Sequence, residues 1–249
     1  MLSMKTPCKR NKKVAIVQSS YIPWKGYFDL INQVDEFILF DDVQYTRRDW
    51  RNRNLIKTTA GLKWITIPVI VKGKYHQKIR EVIISDQKWA ETHWKIISHT
   101  YGRAPYFKKY KQIFETLFSD CKETYLSEIN YRFIKAICEI LGIKTKFSWS
   151  TDYDLVAGKT ERIVGICLQS GASEYLSGPS ARSYLKSELF TSEKIHLRFA
   201  DYSDYPPYHQ MSPPFEHGVS IIDLIFNEGP NASRFMKSFK DAGRKEKIV

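Results

Sequence analysis

The sequence predicts an α/β protein: a Rossmann-like parallel sheet with a helical insertion and a small β-hairpin. Three observations predict it. Two short continuous apolar runs, 14–17 and 37–40, are joined through a Pro-Trp-Gly loop and an amphipathic segment, which is how a βαβ unit reads. The stretch from about 87 to 142 is helical in its apolar spacing. The last third returns to alternating helix and strand.

Taken in order, residues 1–12 are polar and basic and are expected to be disordered, ahead of a single α/β domain over 13–240 and a charged tail over 241–249. Strand one is expected at 14–18. In the turn SSYIPWKG, Pro23 ends the strand and Gly26 permits close backbone approach. A helix over about 27–34 buries Phe28 and Ile31, and the run EFILF forms the next strand. Residues 41–54 are too charged to be buried in the ordinary way, and a loop of that length in a compact domain is more often functional than idle. A β-hairpin follows over 54–58 and 63–71 around the turn AGL, then a strand over 81–85. Helices are predicted over 87–102, 106–119 and 124–141, ending at Gly102 and Gly142, before a strand over 143–149. The final third reads as helix 159–169, strand 173–177, a Gly-Pro loop opening a short helix to 189, strand 195–200, an irregular proline-rich surface loop or lid over 201–218, helix 219–226 and a last short helix to about 239.

The 39 basic residues outnumber the 27 acidic, leaving a formal charge of +12 that favours anionic partners: nucleic acid, nucleotides or phosphorylated substrates. The segments KRNKK and GRKEK account for several of these charges without any site. Cys8, Cys121, Cys138 and Cys167 form no CxxC pair, as expected of buried thiols in a reduced cytoplasmic compartment. No apolar run reaches the roughly 18 residues that span a bilayer, and no apolar signal core follows the basic start, so a cytoplasmic protein without membrane insertion is expected. No metal-ligand spacing, GxSxG, P-loop or GxGxxG occurs, which disfavours common nucleophilic hydrolases and Walker ATPases.

Three constellations carry candidate chemistry. Gln18, Tyr21, Trp24 and Gly26 follow strand one, and Asp41 and Asp42 end strand two. Open α/β sheets bind ligands at such strand ends. The carboxylate pair is suited to Mg²⁺ or a ribose hydroxyl, or else to a cap or an ion pair with Arg47 or Arg48. Arg47, Arg48, Arg51 and Arg53, with Asn52, Asn54 and Lys57, form a basic loop whose guanidinium forks match phosphate, or which pairs with Asp41, Asp42 and Asp49. Tyr45 and Trp24 are placed to stack on a base or sugar. Gly178, Ser180 and Arg182 make a glycine turn leading into a helix, either an anion cradle or an ordinary capped loop. Of the histidines, His209 in the lid is placed to face a ligand, whereas His93 lies on an apolar helix face. Asp223, among apolar residues, requires a partner.

The segments QSSYIPWKGYFDLI, DDVQYTRRDWRNRNLIKT, GLKWITIPV, YLSGPSARSYL and HQMSPPFEHGVSIIDLIFNEG resemble the WbqC-like family over nearly the whole chain. Members often read HQP or QP where this chain has Gln18-Ser19-Ser20. Members are found with genes for O-antigen and other surface polysaccharides. The resemblance therefore implies an enzyme of surface-polysaccharide (lipopolysaccharide) precursor biosynthesis. The first βαβ unit is also similar, more distantly, to the HIGH-type nucleotidyltransferases and pantothenate synthetase-like ligases, hence a HUP-like sheet. The HxGH histidines are absent, with Trp24-Lys25-Gly26-Tyr27 in their place. SGPSARSYL resembles the loop by which those ligases hold ATP phosphates. Together these imply attachment of an acyl or aminoacyl group to the amine of a nucleotide-linked amino sugar, with ATP and Mg²⁺ as candidate cofactors and His209 or His93 as base. Nucleotidyl transfer and non-enzymatic binding of nucleotide sugars or nucleic acid are the alternatives.

Overall fold

The computed structural model describes residues 11–239. Five strands form one fully parallel sheet: β1 (Lys13–Val17), β2 (Glu36–Leu39), β5 (Lys146–Trp149), β6 (Glu174–Ser177) and β7 (His196–Phe199), in the order β5-β2-β1-β6-β7. The chain builds outward from β1 to β2 and β5, then returns to the other side of β1. The order therefore reverses between β1 and β6, and a crevice opens there at the carboxyl ends. A separate antiparallel hairpin, β3 (Arg53–Thr58) and β4 (Gly61–Thr66), follows β2.

Strand alternation sorts the core into two layers. Ala15, Phe37, Leu39 and Leu176 face one side, packed with residues of α1 (Lys25–Asn32), the insertion helices α2 (Trp89–Tyr101), α3 (Phe107–Ser119) and α4 (Leu126–Leu141), and α7 (Ile221–Glu228). Val14, Ile16, Ile38 and Tyr175 face the other, against α5 (Lys159–Gln169) and α6 (Ser187–Ser192). The two-residue period of a strand covered on both faces produces this division. Cys121, Cys138 and Cys167 are buried and free, and burial raises each thiol's pKa. Cys8 lies outside the described residues. Among the described residues no helix is long and apolar enough to cross a membrane.

Two expectations are corrected. Residues 81–85 form no strand: a 3-10 turn at Ile79–Glu81 precedes isolated bridges from Ile83 to Tyr125 and from Ile84 to Val69. The helix expected after Gly178 divides into a 3-10 turn, Pro179–Ser183, and the short α6. Lys12 Nζ lies 2.6 Å from the buried Glu36 carboxylate, which Lys146 also approaches at 3.0 Å. These cations outweigh the burial that opposes ionisation and hold the Glu36 pKa down at about 2. The expected disorder over 1–10 and the charged tail lie outside the described residues.

Candidate functional site

A two-lobed cleft occupies the carboxyl ends of β1 and β6. One lobe, of about 630 Å³, is lined by Gln18, Gln44, Arg51, Lys159, Arg162 and Tyr184 among others. The other, of about 550 Å³, is lined by Trp24, Tyr27, Trp50, Tyr202 and His217. Val17, Arg51, Gly178 and Ser180 border both. Such volumes suit ligands of nucleotide size. The first lobe has three cationic side chains and no carboxylate in its lining; the second, aromatic lobe is mostly apolar and carries the aromatic side chains of Trp24, Tyr27, Trp50 and Tyr202.

Arg51 is held at the junction by the strand-one turn. Its Nη1 donates to the carbonyls of Gln18 at 3.1 Å and Ser19 at 2.9 Å and to Ser20 Oγ at 2.9 Å. Its Nε lies 3.6 Å from Asp49 Oδ2 and makes no hydrogen bond. The turn is itself strained, because Ile22 has φ +35°, a region costly for a β-branched residue. Asn54 Nδ2 donates to the Tyr21 and Ile22 carbonyls, and Ser220 Oγ to Ile22, which pins it. Gly26 is required on α1 because the Trp24 indole lies across it: a Cβ there would fall 2.2 Å from the ring. That packing, with edge contacts to Tyr202 and Tyr205, fixes Trp24 in the aromatic lobe.

Several residues expected at the site do not line the cleft. Asp41 is only 1% exposed. It accepts from the Ser19 amide at 2.8 Å and from Ser127 Oγ of α4, and burial raises its pKa despite these bonds. Asp42 pairs with Lys78 at 2.6 Å and Arg80 at 2.8 Å, and these cations lower its pKa against the opposing effect of burial. With oxygens committed to separate partners, and neither residue lining the cleft, the pair does not fit a Mg²⁺ site. Among the described residues no cluster of three or more His, Cys, Asp or Glu is arranged to hold a metal.

The basic loop divides in the same way. Arg47 donates to the Val71 carbonyl, Arg48 is exposed with φ +59°, and Arg53 stacks 4.0 Å over Trp64, so only Arg51 of the four lines the cleft. Asn52 binds the Ile67 carbonyl and Lys57 Nζ the Pro214 carbonyl. Tyr45 is buried outside the cleft. Tyr21 is fully buried, its hydroxyl 2.9 Å from His93 Nδ1. His93 also meets the Thr66 carbonyl, and burial pushes its pKa down to about 4. Arg182 stacks on Phe199 rather than entering the cleft, and His209 is exposed with its amide bound to Glu228. Asp223 accepts from Tyr101, Tyr208, Gln210 and Asn227, locking the segment 201–218 onto α7. Gln18, Trp24, Arg51, Asn54, Gly178 and Ser180 do come together.

Lys159, Arg162, Tyr184, Tyr202 and His217 line the cleft without having been anticipated. His217 is the histidine that the proline-rich segment brings to it, eight residues beyond the one expected. Partial burial and the charge of Lys25 lower its proton affinity. Lys25 is buried, donates to the Pro206 carbonyl at 3.1 Å, and faces the rings of Tyr205 and Tyr208. Burial pushes the Lys25 pKa down to about 8, with Asp29 opposing.

Comparison with known proteins fits this architecture to a family. A Mycobacterium tuberculosis (strain ATCC 25618 / H37Rv) protein named "Uncharacterized protein Rv1507c" is 50% identical over 226 residues, covering 91% of this chain and 98% of that one. No solved structure matches. The model of the WbqC-like protein family matches residues 18–235, from the end of β1 through α7 and beyond, and the chain belongs to that family.

Proposed function

We propose that this protein is a transferase of bacterial surface-polysaccharide precursor biosynthesis, attaching an acyl or aminoacyl group to the amine of a nucleotide-linked amino sugar. The observation that carries the reading is the cleft at the β1–β6 switch point, where a lobe with Arg51, Lys159 and Arg162 and no carboxylate opens into an aromatic lobe. A diphosphate is dianionic or more at neutral pH and gains from paired guanidinium groups in a crevice that restricts water. Apolar and aromatic walls suit a sugar ring or an acyl chain. ATP, if it activates the acyl donor, has the same cationic lobe available for its phosphates.

The chemistry asked of the protein is modest. The sugar amine attacks the acyl carbonyl, a C–N bond forms, the bond to the donor's leaving group breaks, and the amine proton passes to a base. His217 is the histidine lining the cleft, and its lowered proton affinity keeps it neutral at pH 7, in the form that accepts a proton. Positioning of amine and carbonyl in one cleft supplies most of the acceleration. A thermal-shift screen of UDP-, dTDP- and GDP-linked amino sugars, free nucleoside diphosphates, ATP and single-stranded oligonucleotides tests the reading. Stabilisation by one nucleotide-linked amino sugar at low concentration is expected. A response to oligonucleotides alone, weakening steeply with salt, would replace it with nucleic-acid binding.

A further inference from the structure

We infer that the indole of Trp50 is the stacking surface for the sugar ring, so that Trp50 and Arg51, neighbours in the chain, read the sugar and its attached phosphate in turn. This rests on the nucleotide-sugar reading and names the residue that recognises the sugar within it.

Trp50 is 42% exposed and Trp64 of β4 is 41% exposed. Their rings lie 5.1 Å apart, tilted by 41°, and the Arg53 guanidinium covers Trp64 at 4.0 Å. Trp50 is therefore held by a second layer while its own surface borders the aromatic lobe. Its backbone is fixed as well: its carbonyl accepts the Tyr21 amide at 3.0 Å, and its amide donates to Asp49 Oδ1 at 2.7 Å. Leaving so much indole in water forgoes burial free energy. A rigidly backed, open indole at the mouth of a cleft is a preorganised face for a ligand.

The ligand class follows from the neighbours. Trp50 and Arg51 both line the aromatic lobe, so a sugar joined through one bridging oxygen to a phosphate on Arg51 enters the lobe that Trp50 borders. The C–H face of a pyranose carries partial positive charge and matches the negative face of an aromatic ring. Tyr184 is 52% exposed but lines the cationic lobe, and the other aromatic residues of the aromatic lobe, Trp24, Tyr27 and Tyr202, are less open than Trp50. Trp24 is committed to Gly26, Tyr202 and Tyr205, and Tyr45 is buried.

Calorimetric and fluorescence titrations of wild type, Trp50→Ala and Trp50→Phe test this, using UDP and UDP-N-acetylglucosamine and, in parallel, dTDP and a dTDP-linked 4-amino-4,6-dideoxyhexose. A sugar nucleotide should bind wild type roughly three- to tenfold more tightly than its own nucleoside diphosphate and should quench tryptophan emission. Trp50→Ala should lose that advantage while binding the nucleoside diphosphate as wild type does. Trp50→Phe should keep the advantage but lose the quenching. Two results overturn the inference alone: equal wild-type affinity for the sugar nucleotide and its nucleoside diphosphate, or a Trp50→Ala loss of equal size for both. Binding of none of these probes to wild type overturns the nucleotide reading and the inference together.

Discussion

Replacing Arg51 by alanine should damage stability and anion binding together, in amounts that the contacts allow to be separated. Nη1 serves three acceptors, but the Gln18 carbonyl also accepts the Tyr27 hydroxyl at 2.9 Å and keeps a partner. The Ser19 carbonyl and Ser20 Oγ lose their guanidinium donor. Unmade bonds to buried groups cost about 1–3 kcal/mol each, and water in the cleft recovers part of that, so the expected loss is about 2–3 kcal/mol. On the ligand side, a charge-assisted bond to phosphate contributes about 1.5–3 kcal/mol, or roughly ten- to a hundredfold in Kd. Urea unfolding gives the first number, and calorimetric titration of the sugar nucleotide selected by thermal shift gives the second. Arg51→Lys keeps the charge without the fork and should recover part of the binding with little of the turn's stability. An Arg51→Ala protein that unfolds at the wild-type urea concentration and binds the ligand normally would refute this account of the junction.

Further outcomes follow from residues placed away from the cleft. Asp41→Ala orphans the Ser19 amide and Ser127 Oγ and should cost about 2–4 kcal/mol by urea unfolding, while the folded fraction keeps its affinity for the sugar nucleotide. A selective loss of affinity would restore Asp41 to the site. His93 has its folded pKa depressed to about 4 from 6.5, so the unfolded chain binds the extra proton between those values. The stabilisation is complete above pH 6.5 and lost as pH falls towards 4, with a slope of at most about 1.4 kcal/mol per pH unit. His93→Gln should be less stable at neutral pH and show a shallower decline from pH 6.5 to 4.5; parallel curves would contradict the assignment.

Much of the sheet was legible because its strands are covered on both faces. VAIV and EFIL are continuous apolar runs, and the bounds of α5 were readable from the spacing of Ile163, Val164, Cys167 and Leu168, of which the first three face inward and Leu168 is 48% exposed. The strand-end location of the cleft followed from that topology, and Gln18, Trp24, Arg51, Asn54, Gly178 and Ser180, singled out in the sequence, line it. What the sequence could not rank was polar residues of one type in one loop. Arg47, Arg48, Arg51 and Arg53 are equivalent as letters, yet backbone direction sends only Arg51 into the cleft, while Arg53 packs on Trp64 from the hairpin. Asp41 and Asp42 are adjacent but serve opposite environments, one buried under α4 and one paired at the surface. Lys159 and Arg162 look like any solvated helix face until β5 and β6 are placed on opposite sides of the central strands and α5 starts at the crevice. His217 and His209 share one irregular segment, with no periodicity to tell them apart.

The claim that the β1–β6 cleft binds a phosphorylated ligand through Arg51, Lys159 and Arg162 is tested most directly by two charge reversals compared in one titration. Lys159→Glu/Arg162→Glu and Arg47→Glu/Arg48→Glu each replace two cations by two anions and so lower the formal charge of +12 by the same four units. Any effect of the protein's overall field is therefore matched, and only position differs. The account predicts that the first variant loses affinity for the nucleotide-linked sugar by roughly a hundredfold or more, while the second stays within a few-fold of wild type. The opposite order would place the phosphate on the exposed loop and contradict the cleft assignment.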